Sequence, residues 1–304
     1  MRIGLIDVDS HNFPNIVLMK LSAHFKKKGY EVDLLTPGDV LNGFNLFCDY
    51  DELYGACVFD WNRNIADRLS ELGVYMGGTG TRNKDTLPDE IEHVMPDYSL
   101  YGITNTAYGF LSRGCPRHCP FCIVGDKEGL QSRKVADLNE FWDGQKEIIL
   151  CDPNLLACKD RMNLLQQLID SRAKVEINQG FDARLLNDDV IDAMNQIKLS
   201  MVHFAWDNPK DKVVPEKLLN FAKKSKLSDR YKVVYCLTNY WSNHAEDIYR
   251  VEWLRENGYS PYIMIFDKQH APKITRQLAR YVNNRYIFNS CTFDEYLKTR
   301  GKRI

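Results

Sequence analysis

Short apolar runs of strand length alternate with longer stretches of helical periodicity along most of this chain, and that alternation restricts its fold more than any other feature. Residues 2–8 form an apolar run. Residues 15–28 then place Ile16, Leu18, Met19, Leu21, Ala23 and Phe25 at largely helical spacing, and Gly29 ends that helix. Residues 30–35 and 54–59 read as a second and a third strand, joined by a loop (37–53) of weak helical character. Residues 64–72 read as a helix, and 74–76 as a short strand running into Gly77-Gly-Thr-Gly80. From Thr106 the unit repeats six times, with strands at 107–111, 147–150, 174–178, 201–206, 232–237 and 262–266 and helices at 138–145, 160–171, 188–196, 212–224, 245–257 and 272–282. Successive βα units favour parallel sheets with functional loops at the carboxyl ends of the strands. The expected class is therefore α/β: a small parallel domain (1–85), a linker rich in Pro and charge (86–105), a larger repeat region (106–288) and a tail (289–304).

The densest chemistry follows the first strand of the larger region. Phe110-Leu-Ser-Arg-Gly114 leads into Cys115-Pro-Arg-His-Cys119-Pro-Phe-Cys122, three cysteines within eight residues. A loop this short aims three soft sulfur ligands at one place, which suits an iron–sulfur cluster. A zinc site completed by His118 is the competing use, although zinc sites of this type usually draw on a second C-x2-C pair, which the chain lacks. Nine cysteines, an odd count, and a start that runs straight into a strand argue against a disulfide framework.

The spacing C-x3-C-x-Phe-C resembles the signature of the radical SAM (radical S-adenosylmethionine) superfamily. The resemblance implies a partial (β/α)6 barrel and a [4Fe–4S] cluster held by Cys115, Cys119 and Cys122. It further implies S-adenosylmethionine on the open iron, whose reductive cleavage gives a 5′-deoxyadenosyl radical that abstracts hydrogen from substrate. Other positions are carried over from that resemblance one by one. Asp152 and Asn154, after the second barrel strand, look like the acceptor of the methionine ammonium, or else a turn capping the helix from Asp160. Arg184 is similar to the arginine set against the methionine carboxylate, or is a surface arginine. Asp207 stands where relatives carry an acid near the ribose, and Phe121 stands near the adenine or packs beneath the cluster. The usual Gly-x-Pro-Gly turn after the fifth strand is missing; Thr238-Asn-Tyr240-Trp241 stands there and could face substrate instead. Cys151, Cys158, Cys236 and Cys291 could ligate a second cluster, but they are scattered singly, as buried free thiols commonly are.

The first domain resembles a reduced cobalamin-binding domain, the N-terminal partner in one branch of that superfamily. Asp9-Ser-His11-Asn-Phe-Pro14-Asn-Ile-Val looks like its D-x-H-x-x-G-x-x-I-V loop, with Pro14 in place of the glycine, and Gly77-Gly78 stands where that family packs glycines. His11 is either a cobalt ligand, which would allow a cobalamin-dependent methyltransferase, or a cap for the helix beginning near Asn15. A non-catalytic, zinc-stabilised scaffold or nucleic-acid-binding module is the reading from another class.

Forty basic and forty-one acidic side chains nearly cancel, so no global field favours nucleic acid or membrane. From Lys268 onward nine Lys/Arg face two acids, which leaves RNA or a nucleotide open as substrate. No apolar run approaches bilayer-spanning length. The expected location is the cytoplasm, where thiols stay reduced and a flavodoxin or ferredoxin can donate electrons.

Overall fold

The structure is a computed structural model that describes residues 1–9, 13–43, 49–83 and 85–300. Two compact units emerge, Met1–Gly109 with Ala136–Ile148 and Phe110–Val135 with Ile149–Ile304, each α/β with parallel strands. The ten strands expected from the alternation fall within about three residues of their expected ends.

In the first unit β1 (Arg2–Asp7), α1 (Ile16–Lys27), β2 (Glu31–Leu35), α2 (Pro37–Asn42), β3 (Glu52–Ala56), α3 (Arg63–Glu71) and β4 (Tyr75–Gly77) build a four-stranded sheet of order β2-β1-β3-β4. The winding reverses at β1. Ile3 and Leu5 point to one face and pack with Leu18, Leu21 and Phe25 of α1, whereas Ile6 and Val8 point to the other and pack with Ala66 and Leu69 of α3. Helices thus cover both faces, as in doubly wound sheets. Asn15 caps α1, its side chain accepting from the Leu18 N–H at 3.2 Å, and Gly29 leaves the helix at φ +82°. The capping role considered for His11 belongs to Asn15; His11 itself lies outside the described residues. A capping box between Thr36 and Asp39 makes α2 a formed helix in the loop that looked only weakly helical.

Residues 86–105 are part of this unit, with α4 (Asp89–Glu92) and a 3₁₀ turn (Tyr98–Tyr101). They are bound to α1 through Lys20–Glu92 at 3.0 Å and through Asp97, which takes Ser22 Oγ and Lys26 Nζ, each at 2.6 Å. The helix expected at 138–145 is a single turn, Leu138–Glu140. It ends at Phe141, which leaves helical geometry at φ −140°, and the Phe141 ring packs where a Cβ on Gly109 would come within 2.4 Å of it.

In the second unit the strands follow one another across the sheet: β8 (Glu147–Leu150), β9 (Lys174–Ile177), β10 (Lys198–Ala205), β11 (Lys232–Thr238) and β12 (Ser260–Ile265). β5 (Thr106–Gly109) lies beside β8 at the edge and, like the first half of β8, is assigned to the first unit. Between and after them run α6 (Arg161–Ser171), α7 (Asp188–Met194), α8 (Val213–Lys224), α9 (His244–Glu256) and α10 (Lys273–Val282); the shorter β6 (Ser112–Arg113), α5 (Val124–Glu128) and β7 (Arg133–Lys134) belong to the cysteine loop. Parallel strands in sequential order with right-handed crossovers put every helix on one face. Burial follows that rule most clearly towards β12: Val202, Phe204, Val234, Cys236 and Ile263 are closed off, while of the alternate positions Tyr262 and Met264 are exposed, Met201 and Tyr235 half-buried, and His203 and Leu237 buried.

The segment read as a tail is helical. α11 (Arg285–Ser290) and α12 (Phe293–Arg300) bring Phe288, Phe293 and Tyr296 to the buried Tyr281, with ring centroids 5.4 Å from it in each case. Among the described residues no helix is long and apolar enough to cross a membrane.

Candidate functional site

Residues 110–135 form a closed excursion whose neck is the antiparallel pair β6 and β7, with Ser112 opposite Lys134 and Arg113 opposite Arg133. Glu128 fastens it, accepting from the Gly114 N–H and pairing with Arg113, both at 3.2 Å. The Cys115 N–H donates to the Gly129 carbonyl at 3.1 Å, and the Cys122 N–H to the Cys119 carbonyl at 2.9 Å. Gly114 sits at φ +89°, where a Cβ would lie 2.3 Å from the Gln131 carbonyl oxygen, so only glycine fits directly before the first cysteine.

Cys115 and Cys119 are half-buried and Cys122 is exposed. Among the described residues no three His, Cys, Asp or Glu side chains stand close enough to hold one metal ion. A single zinc with Zn–S near 2.3 Å needs its sulfurs roughly 3.8 Å apart; a multi-metal cluster takes its thiolates from a wider spread. Burial pushes the Cys119 thiol up, and Asp207, Cys122 and Cys115 add to the effect while Arg184 opposes it, so these five groups share one electrostatic neighbourhood.

Around the loop the strand ends supply a polar network. Asn154, after β8, donates from Nδ2 to Cys115 Sγ at 3.4 Å and to Asp182 at 3.3 Å. Its Oδ1 is buried and has no hydrogen-bond partner among the described residues. Asp182, after β9, accepts from the Nε of both Arg117 and Arg184, the latter at 2.7 Å. Burial would raise its carboxyl, yet the two guanidinium groups overcome that and hold it below the usual range. Arg184 also approaches Asp211 at 3.6 Å. Asp207, after β10, accepts from the Leu237 N–H at 3.2 Å; burial raises its carboxyl against that bond and against Arg250 and Arg184. Phe121 meets Tyr240 and Trp241 edge-on, each at 5.3 Å, so the loop after β11 reaches the cysteine loop through aromatic rings.

Asn154, Arg184, Asp207 and Phe121 are therefore gathered about the cysteines, and Asp152 is not. Its carboxylate is fully buried and takes the N–H groups of Leu111 (3.0 Å) and Ser112 and the Ser112 hydroxyl (2.7 Å). Each oxygen is already occupied, so Asp152 fixes the backbone entering the loop and has no face for an ammonium group. Nor does it cap the following helix: Asp160 occupies that N-cap, without a side-chain bond. Cys236 is a buried thiol and Cys151 a half-buried one, both pushed up to about 12 by desolvation.

Sequence reasoning did not single out Asp182, Arg117 or Arg250. Arg250 is wholly buried and bonds the Asp207 carbonyl at 2.9 Å, the Leu237 carbonyl at 2.8 Å and Asp247 at 2.7 Å, joining two strand ends beside the site. An arginine within an amphipathic helix carries no sign of this in sequence.

In the first unit Asp9 ends β1 by accepting from the Val58 N–H and, at 2.8 Å, from Asn62. Gly78, at φ +100°, leaves no space for a Cβ, which would meet the Cys57 carbonyl at 2.4 Å, so this glycine serves the loop's own closure on β3. No protein-family model and no curated protein matches the chain.

Proposed function

We propose that this chain is a radical SAM enzyme, its second unit a partial (β/α)6 barrel carrying a [4Fe–4S] cluster on Cys115, Cys119 and Cys122. The observation that carries the reading is the C-x3-C-x-Phe-C loop standing beside a buried, partnerless Asn154 Oδ1 at the carboxyl ends of sequentially ordered parallel strands. The donor set fits the two groups. Asn154 Oδ1 is an acceptor awaiting an N–H donor such as the methionine ammonium, and its Nδ2 bond to Cys115 Sγ is of the kind that tunes cluster sulfurs. Arg184, oriented by Asp182, offers a planar fork to the methionine carboxylate. Asp207 is the acceptor for the ribose hydroxyls, and Phe121 with Tyr240 and Trp241 shields the site from water. Asp152 leaves the ligand set. Bound there, cluster and S-adenosylmethionine would supply one-electron cleavage of the sulfonium and hydrogen abstraction from substrate. A reducing cytoplasm, with a flavodoxin or ferredoxin as donor, suits three free thiols of which one is exposed and two are half-buried.

Anaerobic reconstitution with iron and sulfide, followed by reduction and addition of S-adenosylmethionine, tests this directly. About four irons per chain and release of 5′-deoxyadenosine are expected, with both lost in the alanine variant of each of the three cysteines. Colourless zinc protein that releases none of that product would return the loop to a structural role.

A further inference from the structure

We propose that the helix-free face of the second unit's sheet binds a nucleobase, a planar ring bearing N–H donors, through Glu176, His203 and Tyr235. The assignment of that base to the enzyme's substrate rests on the radical SAM reading; the binding site itself rests on the sheet.

Parallel sheets are normally covered on both faces. Here the sequential strand order commits the helices to one face, and on the other stand Glu176, Met201, His203, Tyr235, Tyr262 and Met264, with Met201 opposite Glu176 and Tyr235 opposite Tyr262 in register. Tyr262 is 44% exposed and Met264 49%. An aromatic row crosses this face: the His203 imidazole lies flat on Tyr235 (5.2 Å, 1° between planes), and Tyr262 meets Tyr235 edge-on at 5.7 Å.

Its polar groups are incompletely partnered. His203 is only 7% exposed, and its Nδ1 has no hydrogen-bond partner among the described residues. Burial favours the neutral ring, in which one nitrogen donates and the other accepts. Glu176 is half-buried, and its charge is felt by both His203 and Tyr235; the Ser200 hydroxyl touches it only at 3.4 Å. A buried polar atom left without a hydrogen-bond partner is costly. A ligand that removes this cost brings N–H groups and ring nitrogens together on one flat edge, to meet Glu176 and His203, and a π-face to lie on tyrosine. Nucleobases do both, and base stacking on aromatic side chains is the usual way single-stranded RNA is held. The carboxylate repels phosphate, so the base rather than the backbone enters.

The test uses the full reconstituted chain with ¹⁵N-labelled histidine, probed with the four nucleoside 5′-monophosphates and with single-stranded homohexaribonucleotides of each base. At least one base should move the His203 Nδ1 resonance from its position in the unliganded protein. Binding of the monophosphate identifies a free nucleotide, and binding of the hexamer alone identifies RNA. His203→Phe keeps an aromatic ring and removes both ring nitrogens; Glu176→Gln, at a half-buried position that tolerates exchange, removes the charge and turns one acceptor oxygen into a donor. Each should weaken the bound probe at least tenfold. No resonance shift at millimolar probe, or affinities within twofold of the parent in both variants, overturns the proposal. Base binding without S-adenosylmethionine cleavage would sink the enzymatic reading alone, and cleavage without base binding would sink this inference alone.

Discussion

The two units are made from the same βα element and differ in winding. The first reverses direction at β1, so both faces of that strand are closed and its odd and even residues feed separate cores. The second never reverses, so one face is packed and the other keeps a carboxylate, an imidazole and tyrosine rings. Order of strands, more than composition, decides whether a sheet becomes a filled layer or a surface with chemistry to offer.

The largest break with that picture is expected at Arg250. The cysteine-side ends of β10 and β11 are joined to α9 by its guanidinium, which bonds the Trp206, Asp207 and Leu237 carbonyls and Asp247. Arg250→Met would strand Asp247, itself 2% exposed, and should cost about 3–5 kcal/mol in a denaturant titration. Pairing it with Asp247→Leu should recover a substantial part, because the isolated charge is then gone. A single-variant loss below about 1 kcal/mol would mean the helix-covered face is not held this way.

The comparison sharpens with a matched pair of truncations. Leu5→Ala, in the closed first sheet, should cost about 2–5 kcal/mol. Tyr262→Ala, on the open face of the second, should cost no more than about 1 kcal/mol. Midpoints of chemical denaturation read both, and equal losses would refute the open face.

How much of this was legible beforehand varies with the kind of interaction. Strands and most helices came from periodicity, because burying alternate residues is a local constraint that each segment satisfies for itself. The three cysteines came from spacing, whereas Asn154, Arg184 and Asp207 were carried over from the resemblance, on their place after successive strands. Asp152 did not: a carboxylate after a strand reads the same whether it awaits a ligand or closes on backbone N–H groups forty residues earlier in the chain. The last helices were missed although Thr292-Phe-Asp-Glu295 spells a capping box, with the Thr292 N–H donating to Glu295 at 2.8 Å and the Glu295 N–H donating back to Thr292 at 3.3 Å. The basic charges around it read as a solvated tail, and the cluster about Tyr281 that orders it draws its rings from three separate helices.

A smaller effect, and one that separates the units by pH, belongs to Asp152. Burial drives its carboxyl up to about 6, and the bonds from Ser112 and Leu111 only partly offset that. Because the folded value lies above the ordinary 3.8, the folded chain keeps a proton that the unfolded chain has released. The contribution is complete below about pH 4 and is lost as pH rises through 6, amounting to roughly 3 kcal/mol by linkage. Carboxyl ¹³C resonances should show a midpoint near 6 for this residue. Amide exchange across residues 110–113 should quicken over the same interval beyond the intrinsic rise with pH. Asp152→Asn should abolish the interval; a midpoint in the ordinary carboxylate range would show that the three donors outweigh burial.

The smallest effects come from the caps, and they ask whether local signals act alike whatever the winding. Asn15→Ala removes the acceptor for the Leu18 N–H at the start of α1, and Thr292→Ala removes the acceptor for the Glu295 N–H at the start of α12. Each should cost about 1 kcal/mol, since a cap satisfies one helix-end donor and is indifferent to the sheet beyond it. Amide exchange locates the loss: protection should fall in α1 for the first variant and in α12 for the second. If Asn15→Ala costs several times more than Thr292→Ala, the entry to α1 does more than satisfy a donor. The added cost would then lie in the packing of Leu18 and Leu21 against Ile3 and Leu5, which the two-sided first sheet requires and the one-sided second sheet does not.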